Sequence, residues 1–213
     1  MDIRYLIFVF VVTVGSMILH ELAHGFTAYK LGDDTAKRDG RLSLNPLRHI
    51  DPFMTILVPL LLAISGMPVF GGAKPVPVDT RRVKGGEWGF ALVALMGPLT
   101  NFILAFVAFA LLYLTGVSMD SLAGLFLLTA VRVNLGFCLF NILPIPPLDG
   151  SRILYAVAPE GVRSLMRAME QYGIMIIYGL LLLCGGLFSQ YMVNAMTGII
   201  QLFTWLLGPF VGA

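Results

Sequence analysis

Residues 5–29 read YLIFVFVVTVGSMILHELAHGFTAY. At about 1.5 Å per residue, a helix of these 25 residues is long enough to cross the roughly 30 Å hydrocarbon core of a bilayer. A spanning helix ordinarily excludes ionisable groups, because they are costly in lipid and mark function where they occur. This one holds His20, Glu21 and His24 within five residues, in a chain with three histidines in all. One stretch therefore predicts a membrane protein and points to polar chemistry inside the membrane.

The rest of the chain agrees with the first half of that reading. Hydrophobic residues make up 58% of it and charged residues 12%, and the mean hydropathy is +0.87. A soluble domain carries about a quarter charged residues, so this chain lacks the polar residues to cover a water-facing surface. Long apolar runs follow at Trp88–Val117, Leu122–Leu143, Tyr172–Phe188 and Tyr191–Leu207. A shorter one, Met54–Ile64, is broken by Pro59 and closed by Gly66 and Pro68, and reads as a re-entrant piece. The expected fold is an all-α multi-pass membrane protein with five to six transmembrane segments and a short re-entrant segment. It forms a single domain over residues 1–213, with a core at about 5–158 and a C-terminal helical pair at about 168–209.

Charge placement sets the expected orientation. Nine of the fourteen Lys and Arg residues lie between Lys30 and Lys84, and Arg152, Arg163 and Arg167 cluster before the last apolar runs. The connections Ser118–Ser121 and Ser189–Gln190 carry no positive charge. Positive charge favours the cytoplasm, so both basic regions face inward. Five spans then place the N-terminus outside and the C-terminus in the cytoplasm of a plasma-membrane protein. A net charge of +2 without a basic, aromatic-interleaved stretch argues against nucleic acid. Cys138 and Cys184 lie in apolar runs and read as buried thiols. The first apolar run lacks a small-residue cleavage site, so it is not expected to be a removable signal peptide.

The order His20-Glu21-Leu22-Ala23-His24 places two imidazoles four residues apart, on one face of a helix. Neutral imidazole suits zinc, and a glutamate beside the first ligand can take a proton from water at the metal. A catalytic zinc usually has three protein ligands and one open position. The candidates for the third are Asp149, Glu87, Glu160, Glu170 and His49. His20 lies about 22 Å along the first helix, near its inner end. Asp149 follows the fourth span on the same side, in a proline-broken stretch of the kind tolerated at membrane depth only where it lines a cavity. Glu160 and Glu170 fall in a polar loop, so Asp149 is the expected third ligand. Asn101 and Asn141 sit in apolar runs. Interhelical hydrogen bonding accounts for Asn101, whereas Asn141 reads equally as a donor to substrate. Arg132, inside the fourth span, is expected to snorkel or pair, and His49 to hold a structural hydrogen bond.

At this point the sequence resembles the site-2 protease family of intramembrane metalloproteases. The likeness is carried by His20–Gly25 (HELAHG), Gly40–Pro52 (GRLSLNPLRHIDP), Ala73–Val78 (AKPVPV) and Asn141–Gly150 (NILPIPPLDG), with Gly97–Asn101 (GPLTN) between them. It implies one zinc per chain held by His20, His24 and Asp149, with Glu21 as general base. It also implies that Asn141 positions substrate. Lys74, Val76 and Val78 would lie on a small membrane-associated β region that pairs with an extended substrate, as an open strand edge can. Gly72 and Met54 depart from the family pattern. The expected partners are a transmembrane protein or peptide substrate, the lipid bilayer and a regulatory membrane protein. The family's PDZ and CBS domains are expected to be missing from this minimal core. A zinc transporter or a non-catalytic binder would also bury such residues, but neither needs a base next to a ligand.

Overall fold

The computed structural model describes residues 3–49, Leu57 and 74–210. Among these, the helices are α1 (Ile3–Lys30), α2 (Thr35–Arg38), α3 (Gly86–Thr115), α4 (Leu122–Asn141), α5 (Asp149–Val157), α6 (Glu160–Glu170) and α7 (Gly173–Leu207). Single 3-10 turns lie at Pro46–Arg48 and Gly208–Phe210. Four helical stretches are long and apolar enough to cross a membrane: Ile3–Lys30, Gly86–Thr115, Leu122–Asn141 and Met175–Phe210. The expected re-entrant segment Met54–Ile64 and the departures at Met54 and Gly72 lie outside the described residues.

The ends of these helices follow local chemistry. Helix α3 starts after Gly85 and stops at Gly116, both left-handed (φ +90° and +60°), a conformation that an L side chain resists. Helix α4 starts at Ser121, whose hydroxyl accepts from the Gly124 amide at 3.0 Å. Helix α3 is the hub of the bundle, touching α1, α4, α5 and α7. Ala105 and Ala108 are buried on it, and such small residues let neighbouring backbones approach in lipid. Phe203 of α7 is fully buried and sits edge-on to Phe102 and Phe106 of α3, at ring separations of 5.3 and 5.0 Å.

Two expectations change here. The runs Tyr172–Phe188 and Tyr191–Leu207 were expected as two spans, but the helix continues through Ser189 and Gln190. It bends instead at Cys184 (φ −118°, ψ 18°) and counts as one candidate span. Ser and Gln are compatible with a helix, so the polarity of that pair does not end one. The cytoplasmic C-terminus, which followed from counting two spans, loses that argument. The expected β region also differs: residues 74–79 carry no regular secondary structure, and no strand occurs among the described residues. Pro75 and Pro77 have no amide hydrogen to give to a ladder.

The segment after residue 73 is nevertheless pinned to the C-terminal end of α1. Fully buried Asp33 accepts from the Asp79 amide at 2.7 Å and from the Thr35 amide at 3.0 Å. The Lys84 amide donates to Leu31 O at 2.8 Å. Residues 74–84 are thereby held beside the helix that carries His20, Glu21 and His24.

Candidate metal centre

His20 and His24 are both buried on α1, one helical turn apart. Asp149 is brought to them by the turn between α4 and α5. The Leu148 amide donates to Ile145 O, and Ser151 caps the turn through its hydroxyl to Leu148 O at 2.6 Å. Gly150 makes the fold-back possible, since a Cβ there would stand 2.0 Å from Ile142 O. The chain reverses over the end of α4, and Asp149 becomes the first residue of α5.

The three ligand-type atoms converge. His20 Nε2 is 3.0 Å from His24 Nε2 and 3.1 Å from Asp149 Oδ2, and His24 Nε2 is 3.4 Å from the same oxygen. What these atoms carry follows from their outer partners. The Asn134 amide group donates to Ala130 O at 2.9 Å, and a backbone carbonyl can only accept, so Asn134 Oδ1 faces the other way. That oxygen accepts from Asn101 Nδ2 at 2.9 Å, which turns Asn101 Oδ1 toward His20. His20 Nδ1 must then be the donor, at 2.6 Å. His24 Nδ1 donates likewise to Val93 O at 2.7 Å. In the neutral imidazoles both Nε2 atoms are therefore bare lone pairs.

Three acceptors thus face one another within hydrogen-bond range, and Asp149 Oδ2 is buried without a hydrogen-bond donor. Leaving lone pairs crowded and unpartnered in a buried site is costly. One proton lies between two atoms and cannot serve three, whereas a cation can. Tetrahedral zinc with bonds of about 2.1 Å separates its ligands by about 3.4 Å, close to the observed spacings. The space beside the rings is also reserved. A Cβ on Gly97 of α3 would stand 2.3 Å from His24 Nε2 and 2.6 Å from His20 Cε1. The donor set and the cradle both fit zinc. The outer hydrogen bonds have the form usual for metal-binding histidines, which donate their second ring N–H to an oxygen that fixes tautomer and orientation.

Glu21 lies on the neighbouring face of α1, half-buried, and its Oε2 accepts from the Val76 amide at 2.7 Å. The chain is 42% identical over 205 residues to "Putative zinc metalloprotease YwhC" of Bacillus subtilis, a match covering 92% of this chain and 90% of that one. The chain belongs to the zinc metalloprotease family. The metalloprotease is also 35% identical over 176 residues to "Putative zinc metalloprotease Rip2" of Mycolicibacterium smegmatis, covering 78% of this chain and 63% of the relative. No family model and no solved structure matches it.

Of the other expected site residues, Val76 is buried against Glu21, Lys74 is exposed, and Val78 is half-buried. Asn141, the last residue of α4, donates to Phe137 O of its own helix at 3.1 Å. His49 has the expected structural bond, Nε2 to Ser43 O at 2.7 Å. Glu160 and Glu170 lie on α6, paired with Arg167 and Arg152, and Arg132 is exposed on α4. Asn101 does make the expected interhelical bond, but its larger role is to set the His20 tautomer. Asn134 and the Val76 amide escaped sequence reasoning, and Gly97 entered it only within the Gly97–Asn101 likeness, without its place beside the two rings. The two asparagines were the available signal, since each is a polar residue in an apolar span.

Proposed function

We propose that this metalloprotease is intramembrane, of site-2 type, hydrolysing peptide bonds within or near membrane spans of substrate proteins or signal-peptide remnants. The observation that carries the reading is the set of three facing lone pairs of His20, His24 and Asp149. It lies between helices apolar enough to span a bilayer, with Glu21 alongside. We assign one zinc per chain to those three ligands and the role of general base to Glu21. When bound there, zinc supplies a Lewis acid that polarises a scissile carbonyl and acidifies water. Glu21 takes the proton of the attacking water and passes it to the leaving amine. The bond from the Val76 amide holds one of its carboxylate oxygens and leaves the other for that exchange.

A helical substrate hides its peptide bonds, so cleavage needs a locally unwound chain. We place that chain along Lys74, Val76 and Val78, with Asn141 at the end of α4 contacting its backbone. With the basic segments inward, the centre lies near the cytoplasmic face of the plasma membrane and the N-terminus lies outside. The test compares membrane fragments from cells carrying wild-type protein with those carrying Glu21→Gln. The variant should keep about one zinc per chain and lose all cleavage products. Undiminished cleavage by it would overturn the assignment.

A further inference from the structure

Residues 74–78 read Lys-Pro-Val-Pro-Val, and proline has no amide hydrogen, so the segment has three N–H groups, at 74, 76 and 78. Two of the three are committed inside the protein. Lys74 N donates to His49 O at 2.8 Å, and Val76 N donates to Glu21 Oε2 at 2.7 Å. The carbonyls on the other side of the chain meet Arg41. Its Nη2 donates to Lys74 O at 2.7 Å and to Pro75 O at 3.2 Å. Arg41 is only 9% exposed, and its backbone is tied to the end of α2 by Arg41 N to Ala36 O at 2.8 Å.

Pro75 O and Val76 N belong to one planar peptide unit, in which a trans bond points C=O and N–H in opposite directions. The Arg41 guanidinium sits at the oxygen end of that plane and the Glu21 carboxylate at the hydrogen end. A cation on the carbonyl polarises the peptide and strengthens its N–H as a donor. Two carbonyls held by one guanidinium nitrogen also fix where that N–H points. A rigid peptide thus transmits the position of Arg41 to the carboxylate.

We propose that Arg41 is a positioning residue for Glu21, acting through the Pro75–Val76 peptide. The inference rests on the reading of Glu21 as general base. It also narrows how a substrate can lie along this segment. The Val76 N–H and the Lys74 and Pro75 carbonyls are occupied, so an extended substrate is left the Val78 N–H and the carbonyls from Val76 onward.

The two prolines supply a test of unusual resolution, because a fragment spanning 74–77 has the Val76 amide as its single internal N–H for hydrogen exchange. Full-length protein in lipid nanodiscs is compared as wild type, Glu21→Ala, Arg41→Gln and Arg41→Lys, with zinc content measured on each. Turnover is read on a single-span peptide that contains, intact, the bond whose position the fragments released by the wild type identify. Val76 exchange should speed up at least about tenfold in Glu21→Ala and Arg41→Gln. In Arg41→Gln, kcat should fall about 10- to 100-fold with KM and zinc content unchanged, the range seen when partners behind a metal site are removed. Arg41→Lys keeps the charge but not the planar fork, and should recover part of kcat. If Arg41→Gln loses zinc through misfolding, Arg41→Lys decides by the same readouts. Unchanged Val76 exchange in Glu21→Ala, or wild-type kcat in Arg41→Gln or without a deficit in Arg41→Lys, would overturn the proposal. A wild type that cleaves nothing would instead sink the proteolytic reading, and the exchange data would still report the contact.

Discussion

Adding one methyl group to α3, by Gly97→Ala, should weaken zinc binding at the proposed metal centre. The new Cβ would stand 2.3 Å from His24 Nε2, about 1.1 Å inside ordinary contact, which begins at 3.4 Å. It would also strike His20 Cε1 at 2.6 Å, so neither ring can yield by turning toward the other. Coordination tolerates displacements of only about 0.2 Å. Overpacking of this kind costs about 1–3 kcal/mol, and if metal binding bears that cost, zinc affinity falls about 5- to 150-fold. Because two ligands are struck at once, the expectation is the upper end, about 100-fold. The assay is competition for zinc between detergent-solubilised protein and a chelating dye. Gly15→Ala on α1, whose Cβ meets nothing within 4 Å, is the control and should bind zinc as the wild type does. Affinity for Gly97→Ala within about threefold of wild type would refute the reasoning, since the site could not then be the space between these rings.

Asn101→Leu should leave both His20 Nδ1–H and the Asn134 amide oxygen without partners in a buried site. Each loss costs about 1–3 kcal/mol, and zinc affinity should fall about 10- to 100-fold, measured by the same competition. The pH dependence of zinc binding has a defined sign. Burial alone would raise the Asp149 carboxyl, but once protons occupy His20 and His24 Nε2 their hydrogen bonds and charge outweigh burial and bring it down to about 2. Asp149 therefore stays ionised at any working pH, and protons compete only at the two imidazole nitrogens. Zinc affinity should fall as the pH is lowered, with a limiting slope of two protons per metal. A slope of three, read by titration between about pH 5 and about pH 8, would contradict the ionised Asp149.

Most of the spanning helices could be read from the sequence because lipid leaves few alternatives: an apolar run of sufficient length must be helical. The expectation for α1, Tyr5–Tyr29, falls within Ile3–Lys30, and that for α4, Leu122–Leu143, overshoots by two residues into the proline-rich turn. Where the sequence misled, polarity had been taken for a break, as at Ser189-Gln190. The real bend at Cys184 carries no such mark, although Gly185 and Gly186 follow it. Glu160 and Glu170 read as part of a polar loop because the stretch is rich in charge, yet they lie at the two ends of α6, which buries Met166 alone. Within the site, His20, Glu21, His24 and Asp149 stood out as ionisable groups at membrane depth. Arg41 and the Val76 amide did not. An arginine in a basic loop looks solvated, and a backbone N–H carries no sequence signature at all.

The chain of hydrogen bonds from Ala130 through Asn134 and Asn101 to His20 crosses three helices, α4, α3 and α1. It therefore works as a mechanical brace as well as an orienting device. Rotating any one of these helices against the others would strand a buried donor and acceptor, at about 1–3 kcal/mol each, and tip a ligand ring out of line. Relative rotation of these three helices is thus opposed while the network is intact. Parting the walls that carry the histidines is therefore a costly way to open the site, whereas the cover that residues 74–78 place over Glu21 is held to it through the Val76 amide.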